Sequence, residues 1–243
     1  MSTVDDAVLL LSHGSRDPRP AGVVSKLVAA VASGTGREVR AAHLSFTTPT
    51  PIAALCQLAS DGFHAVRVVP LLFTPGHHLT HDVPRAVAAS AVTSAMSVSV
   101  APELLAGGGH QRDLLLAALA SRLRQAGGGG HVDGLVLASA GSSSSKAHRC
   151  IQSLAHDLER FHGVPVEPAF ASSGFPGPAQ ALEALHDRRV RTPAVTSLFV
   201  AAGRLSDSVV VACPNVPVAQ PLGDSPAFVE LLVAQAQVAS ASS

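Results

Sequence analysis

Tryptophan and tyrosine are absent from this 243-residue sequence, and the three large aromatic types together make up only 3% of it. Apolar residues nevertheless reach 47%, so leucine, valine and alanine must fill the interior. No apolar run reaches the roughly 18 residues that a membrane-spanning helix requires. The first residues, MSTVDD, are polar and unlike a signal peptide. We therefore expect a soluble, cytoplasmic protein with no membrane association.

Cysteine and surplus charge are also scarce. Cys56, Cys150 and Cys213 are odd in number and widely spaced, which argues against a zinc ribbon and against a disulfide framework. Seventeen basic residues balance seventeen acidic ones, so no basic field exists to attract nucleic acid. Histidine, by contrast, occurs twelve times, and neutral imidazole is the commonest protein ligand for metals. These counts favour a small-molecule or metal-binding function over nucleic-acid binding.

Short apolar runs alternate with segments of helical period along the chain. Uninterrupted apolar runs are typical of strands that are buried on both faces of a parallel sheet. Their alternation with helices indicates βαβ units. The predicted strands span 7–12, 39–45, 66–73, 97–101, 134–139, 164–170 and 194–200, and the predicted helices 21–33, 49–60, 82–91, 111–126, 146–161, 179–185 and 226–239.

The second half of the chain repeats the first at an offset of 127 residues. SHGS at 12–15 matches SAGS at 139–142, PTP at 49–51 matches PGP at 176–178, and Gly76 matches Gly203. Four glycines at 127–130 form a flexible joint between the halves. We predict an α/β fold of two duplicated domains, 1–126 and 131–243. Each is a mainly parallel sheet flanked by helices, and a cleft lies between them.

Histidines follow two predicted strands of the first half only. His13 comes directly after strand one and His78 a short turn after strand three, whereas their counterparts are Ala140 and Leu205. Ligands of open parallel sheets bind beyond the carboxyl ends of the strands, so both imidazoles should face one crevice. Two imidazoles bind Co²⁺, Fe²⁺, Ni²⁺ or Zn²⁺ and leave positions open for exchange. We predict a metal site at His13 and His78; the alternative is two polar loop residues.

Other residues near these strand ends carry weaker signals. His43, on strand two, is either a core-edge residue or an extra ligand. His81, three residues after His78, is either a proton shuttle or metal-recruiting residue or a surface histidine. The turns at 14–17 and 141–145 can offer backbone N–H groups and hydroxyls to a carboxylate. Neither turn has a GxxxxGK[ST] pattern, and no nucleophile elbow occurs in the sequence.

Three segments together resemble the class II tetrapyrrole chelatases. They are LLSHGSRDP at 10–18, the segment that ends in PTP at 49–51, and VVPLLFTPGHHLTHDVP at 68–84. The most similar group is that of the two-domain sirohydrochlorin chelatases. The resemblance implies a lyase that inserts Co²⁺ or Fe²⁺ into sirohydrochlorin, a tetrapyrrole, in siroheme or cobalamin biosynthesis. The metal is then a substrate, and no organic cofactor is required.

The resemblance also implies residue roles. His13 and His78 hold the metal and are catalytic, and His81 matches a histidine of some members. Ser45 stands where the family often has a glutamate that could serve as proton acceptor or third ligand, and His43 and His81 are the candidates to replace it. The substrate-binding positions are then Gly14, Ser15, Arg16, Pro75 and Gly76.

Two other functional classes stay open at the level of the sequence. One is a non-catalytic carrier of metal or tetrapyrrole that uses the same histidines. The other is a hydrolase or phosphate enzyme that uses the serines at 142–145. The assembly expected for the chelatase is a monomer or homodimer.

Overall fold

The computed structural model of the protein describes residues 6–74, 83–85, 96–127 and 131–237. These residues form an α/β fold with two parallel sheets flanked by helices, which confirms the predicted fold class. The strands are β1 (Asp6–Ser12), β2 (Glu38–His43), β3 (Ala65–Pro70), β4 (Ser97–Val100), β5 (Gly134–Gly141), β6 (Val166–Ser173) and β7 (Pro193–Leu198). The helices are α1 (Arg19–Thr35), α2 (Pro51–Ser60), α3 (His110–Gly127), α4 (Ser145–His162), α5 (Pro178–Asp187), α6 (Arg204–Ala212) and α7 (Pro226–Gln237).

The first sheet has the strand order β2-β1-β3-β4, and all its pairs are parallel. β1 is a central strand whose apolar residues 7–11 are at most 1% exposed, as its uninterrupted apolar run predicts. Helix α1 buries Val24, Leu27 and Val31, which recur at helical spacing on one face. The apolar pattern predicts that β3 reaches Phe73, but the strand ends at Pro70, and among the described residues after it only the Leu71 N–H continues its bonding to β1.

The second sheet has the order β6-β5-β7 and is also parallel. Its central strand β5 buries Leu135, Val136 and Leu137 completely. Beyond β7, the strand pairing continues only as an isolated bridge between Val195 and Val218. The predicted strands and helices of this half are all present. Helix α6 is an addition that the sequence pattern does not predict.

The duplication inferred from the sequence extends to the strand registers. As far as Ser139, where the β5–β6 register shifts, the outer strands pair with the central strand at positions that differ by 127 residues between the two sheets. Helices α1 and α4 both end at a left-handed glycine, at Gly36 and Gly163. The corresponding register pairs are Val8–Val39 with Leu135–Val166, and Ala7–Val66 with Gly134–Pro193.

The compact units of the chain do not divide where the glycine run is. The described residues within 1–107 and 229–243 form one unit, and those within 108–228 form the other. Helix α3 packs against β7, so it belongs to the second unit. The end of α7 belongs to the first, where Arg37 donates a hydrogen bond to the carbonyl of Ala236. The predicted boundary at 127–130 therefore marks the sequence repeat, and it stays a prediction for the domains.

Of the helix predicted at 82–91, the structure describes residues 83–85, which are helical. Among the helices of the described segments, none combines the length and the apolarity that crossing a bilayer demands.

Candidate functional site

His13 is the first residue after β1, at the carboxyl edge of the first sheet. The strand ladder continues past the formal strand ends, because the Leu44 N–H donates to the Ser12 carbonyl at 3.0 Å and the Ser45 N–H donates to the His13 carbonyl at 2.9 Å. The backbone of His13 is thus fixed while its side chain is exposed. This is the position that the sequence predicts for a ligand-facing imidazole.

Gly14 makes this arrangement possible. Its φ is +83°, a conformation that side chains disfavour. A Cβ at this position would lie 1.8 Å from the Ser45 carbonyl oxygen and 3.2 Å from the Cβ of His43. The chain after β2 therefore passes so close to the turn after β1 that only glycine fits there.

The hydrogen bonding of His13 indicates which ring nitrogen can bind a metal. Nδ1 lies 3.2 Å from the carbonyl oxygen of Gly14, and a carbonyl can only accept a hydrogen bond. Nδ1 therefore carries the proton in the neutral ring, and the lone pair is on Nε2. Metal-bound histidines commonly donate their other ring N–H to a carbonyl in this way. This tautomer leaves Nε2 as the nitrogen that could bind a metal.

His43 lies inside the same unit and is 7% exposed. Its Nδ1 is 2.7 Å from the hydroxyl oxygen of Ser12, which holds the ends of β1 and β2 together. Burial lowers the pKa of His43, because the charged form loses hydration. Of the two roles considered for His43, this environment fits that of a neutral core-edge residue.

The turn that follows His13 is held by its own hydrogen bonds. The Ser15 N–H donates to Thr47 Oγ1 at 3.2 Å, and that hydroxyl donates to the Ser15 carbonyl at 3.1 Å. The Ser15 hydroxyl accepts from the Asp17 N–H. Asp17 pairs with Arg19, which lowers the pKa of Asp17 to about 2. The backbone N–H of Ser15, predicted to face a substrate carboxylate, is used to fix the turn.

An aromatic ring that was not predicted from the sequence contacts both candidate side chains of this turn. The ring of Phe46 lies 6.3 Å from the His13 ring, with 29° between their planes, and 4.9 Å below the Arg16 guanidinium carbon. The available signal was a large apolar residue in the otherwise polar segment SFTTPTP. Ser45, next to it, is half-buried and brings no carboxylate to the turn.

The second half of the predicted metal site falls outside the described residues, as do the predicted positions Pro75, Gly76, His78 and His81. The structure does describe where the chain leaves for that segment. The Leu71 N–H donates to the Leu11 carbonyl at 2.8 Å, so the end of β3 runs beside the end of β1. Within the described ranges, no group of three or more histidine, cysteine or acidic side chains could hold a metal.

The equivalent turn of the second repeat also has a left-handed glycine against the neighbouring strand, but it lacks the imidazole, and the β5–β6 register shifts beside it. Gly141 has a φ of +94°, and a Cβ there would lie 2.3 Å from the Ser173 carbonyl oxygen. Ala140 takes the place of His13. The scaffold is therefore duplicated, and the side chain that could bind a metal is not.

The serines after β5 serve the fold. Ser144 caps α4 by accepting from the Ala147 N–H, and Ser142 accepts from the Ser144 N–H. The neighbouring imidazole, His148, uses Nε2 to bind the Ser142 carbonyl at 2.5 Å and stacks on Phe170. A nucleophilic serine needs a base on its hydroxyl, and this histidine binds a carbonyl instead. The serine-enzyme alternative finds no support in this geometry.

Comparison with known families gives one match over most of the chain. The CbiX family model matches residues 7–126 and again residues 134–239. A 78-residue stretch, 32% of this chain, is 40% identical to the sirohydrochlorin cobaltochelatase of Saccharolobus islandicus and 32% identical to that of Methanococcoides burtonii. The match spans 60% of the length of these relatives.

Solved structures show the same fold. SirB from Bacillus subtilis with Fe³⁺ superposes with a TM-score of 0.78 at 20% identity, covering 96% of both chains. CbiX, described as the terminal enzyme for biosynthesis of siroheme in denitrifying bacteria, has a TM-score of 0.68 at 18% identity. The superposition covers 96% of this chain and 100% of the CbiX chain.

Proposed function

The chain belongs to the CbiX family of class II chelatases, and from this membership and its first-sheet turn we propose that it is a sirohydrochlorin chelatase. It inserts a divalent metal, Fe²⁺ or Co²⁺, into the tetrapyrrole ring. One observation carries the proposal: an exposed imidazole in the metal-donor tautomer follows the central strand β1. The curated relatives that match this chain are named for the cobalt reaction.

Metal insertion requires the ion to exchange water for ring nitrogens and the macrocycle to lose two pyrrole protons. His13 contributes the Nε2 lone pair to the incoming ion. Its Nδ1–H···O=C bond to Gly14 keeps the ring in that tautomer. His78 is the second donor by the family resemblance. A pair of imidazoles binds the ion and leaves coordination positions open through which it passes to the tetrapyrrole.

Proton removal falls to an imidazole in this chain, because Ser45 stands where the family often has glutamate. A neutral histidine with an ordinary pKa near 6.5 accepts a proton at neutral pH. His43 is buried against Ser12, and His13 and His78 hold the metal, which leaves His81 as the acceptor. Arg16, exposed beside the same turn, supplies a cation for a substrate carboxylate.

The test is anaerobic insertion into sirohydrochlorin, followed by absorbance, with Co²⁺, Fe²⁺ and Ni²⁺ in separate reactions. We expect His13→Ala and His78→Ala each to reduce turnover by about 100-fold or more, since even residues that only support metal ligands cost 10- to 100-fold. The matched control is His64→Ala. His64 is exposed, lies in the same unit and precedes β3 at the opposite edge of the sheet.

The outcomes separate the candidate functions. Turnover by the wild type and by His64→Ala, with loss in both other variants, supports the chelatase. Unchanged turnover of His13→Ala would remove that residue from the reaction. Stoichiometric binding of metal or tetrapyrrole without turnover by the wild type would favour the carrier.

A further inference from the structure

Phe46 adopts a backbone conformation that burial of its side chain does not explain. Its side chain is 63% exposed, and its φ is +64°. A bulky residue at positive φ is a genuine outlier, and an exposed ring gains little from burial. Strained residues of this kind persist when their surroundings fix them, and they cluster at functional sites.

The surroundings of Phe46 fix it from both sides. The Thr47 N–H donates to the Ser45 carbonyl at 2.8 Å, which makes Phe46 the centre of a three-residue γ-turn. The Ser45 N–H donates a hydrogen bond to the His13 carbonyl, and the Thr47 hydroxyl is hydrogen-bonded to the backbone N–H and carbonyl of Ser15. The turn is thus clamped at the residues before and after Phe46, and its ring is held out of the core.

The ring contacts two side chains that the proposed reaction uses. His13 stacks with it at a centroid distance of 6.3 Å, and the Arg16 guanidinium lies 4.9 Å from its centroid. A guanidinium within about 6 Å of an aromatic face is attracted by the ring. One exposed ring therefore restricts the rotamers of the metal donor and of the cation beside it.

We propose that Phe46 is a positioning residue of the insertion reaction: its ring orients the imidazole of His13 toward the metal and holds Arg16 for the substrate carboxylate. The inference rests on the proposed chelatase function. A misplaced reacting group costs up to about 100-fold in rate, whereas loosening an exposed cation–π contact costs about two- to five-fold. Loss of the ring should therefore lower kcat more than it raises KM for the tetrapyrrole.

Three substitutions separate aromatic positioning from bulk. Phe46→Leu keeps an apolar side chain without a π face, Phe46→Tyr keeps the face, and Phe46→Gly removes the side chain and relieves the positive φ. Phe161→Leu is the matched control, because Phe161 is 52% exposed and also contacts a histidine, with its centroid 5.1 Å from that of His162.

We expect Phe46→Leu and Phe46→Gly to lower kcat by about tenfold or more and to raise KM for the tetrapyrrole by about two- to five-fold. Phe46→Tyr and Phe161→Leu should keep wild-type values. The melting temperature of Phe46→Gly should equal or exceed that of the wild type, which a merely structural role would not give. Wild-type kinetics in Phe46→Leu, or equal losses in Phe46→Tyr, would overturn the proposal.

A second readout does not depend on turnover. Ring-proton NMR signals of His13, assigned by their loss in His13→Ala, should shift in Phe46→Leu and stay in place in Phe161→Leu. If the wild type fails to insert metal, the proposed function fails, and this shift still decides whether Phe46 orients His13. An unchanged His13 signal in Phe46→Leu would refute the positioning role by itself.

Discussion

Replacing Gly14 by alanine tests whether the turn after β1 is built around a missing side chain. The new Cβ would lie 1.8 Å from the carbonyl oxygen of Ser45 and 2.9 Å from its carbonyl carbon. Real Cβ contacts are not shorter than 3.0 Å, so the two backbone segments must separate by more than an ångström. Neither atom in the clash belongs to a flexible side chain that could turn away.

The magnitude has two sources. A left-handed conformation costs a non-glycine residue about 1–2 kcal/mol, and Gly14 has a φ of +83°. Separating the segments also weakens the hydrogen bond from the Ser45 N–H to the His13 carbonyl, which contributes about 0.5–1.5 kcal/mol. With the residual clash, we expect Gly14→Ala to lower the free energy of unfolding by about 2–4 kcal/mol.

Two other glycines serve as controls for this experiment. Gly36 has a φ of +67°, and a methyl carbon added there would have no neighbouring atom within 4 Å, so Gly36→Ala isolates the conformational cost of about 1–2 kcal/mol. Gly141 has a φ of +94° and a clash at 2.3 Å with Ser173 in the second repeat. Gly141→Ala should therefore lose about as much stability as Gly14→Ala.

Urea unfolding measures stability, and metal insertion at low denaturant measures function. Gly14→Ala should lose insertion activity because it moves the backbone of His13, whereas Gly141→Ala should retain it because Ala140 has no imidazole to misplace. Equal stability of Gly14→Ala and Gly36→Ala would refute the close-approach reasoning. Full activity in Gly14→Ala would refute the link between this turn and the metal donor.

Two further predictions concern stability. Burial lowers the pKa of His43 below its unfolded value near 6.5. The contribution of His43 to the free energy of unfolding is therefore complete above about pH 6.5, and it declines as the pH falls toward the folded pKa. His43→Phe, which copies Phe170 of the other repeat, should flatten the fall in urea midpoint between about pH 7 and 5; an unchanged slope would contradict this. Arg67→Met removes a hydrogen bond to the Gln235 carbonyl at the end of α7 and should cost about 1–3 kcal/mol in urea unfolding. Arg204→Met, at an exposed position, should cost nearly nothing.

The fold was predictable because its main signals are local. The apolar run of β1 and the glycines that end α1 and α4 act within a few residues of themselves. Helix α6 was missed because Val209–Val211 is a β-branched run, which disfavours a helix in isolation. Its start is fixed by hydrogen bonds between the Ser206 hydroxyl and the backbone of Gly203, which has no side chain to signal a cap in the sequence.

The packing partners of the last helices could not be read from the sequence either. The apolar face of α3 predicts that it is buried, but not that it packs against β7. The glycine run after α3 marks the end of the repeat, and the compact units divide elsewhere. The spacing of apolar residues indicates that one face of a helix is buried. It does not indicate which strand or helix covers that face.

The site was predictable in part for the same reason. Position after a buried strand is a local property, so His13 was placed at a strand end from sequence alone. The proposed role of Phe46 depends on hydrogen bonds from its two neighbours to residues more than 30 positions away along the chain. Ser45 is hydrogen-bonded to His13, and Thr47 to Ser15. No local pattern predicts a γ-turn that is imposed by such contacts.

The two repeats show which of these residues the fold itself requires. Gly14 and Gly141 are both retained, and both would clash with a carbonyl as alanine, so packing accounts for them. His13 is different, because Ala140 takes its place in the second repeat, where the pairing of β5 with β6 shifts register between Ser139 and Gly141. The second repeat therefore ends its central strand without an imidazole at this position. The chelatase proposal gives this imidazole a role as metal donor, and its Nδ1 contact with the Gly14 carbonyl is compatible with that role.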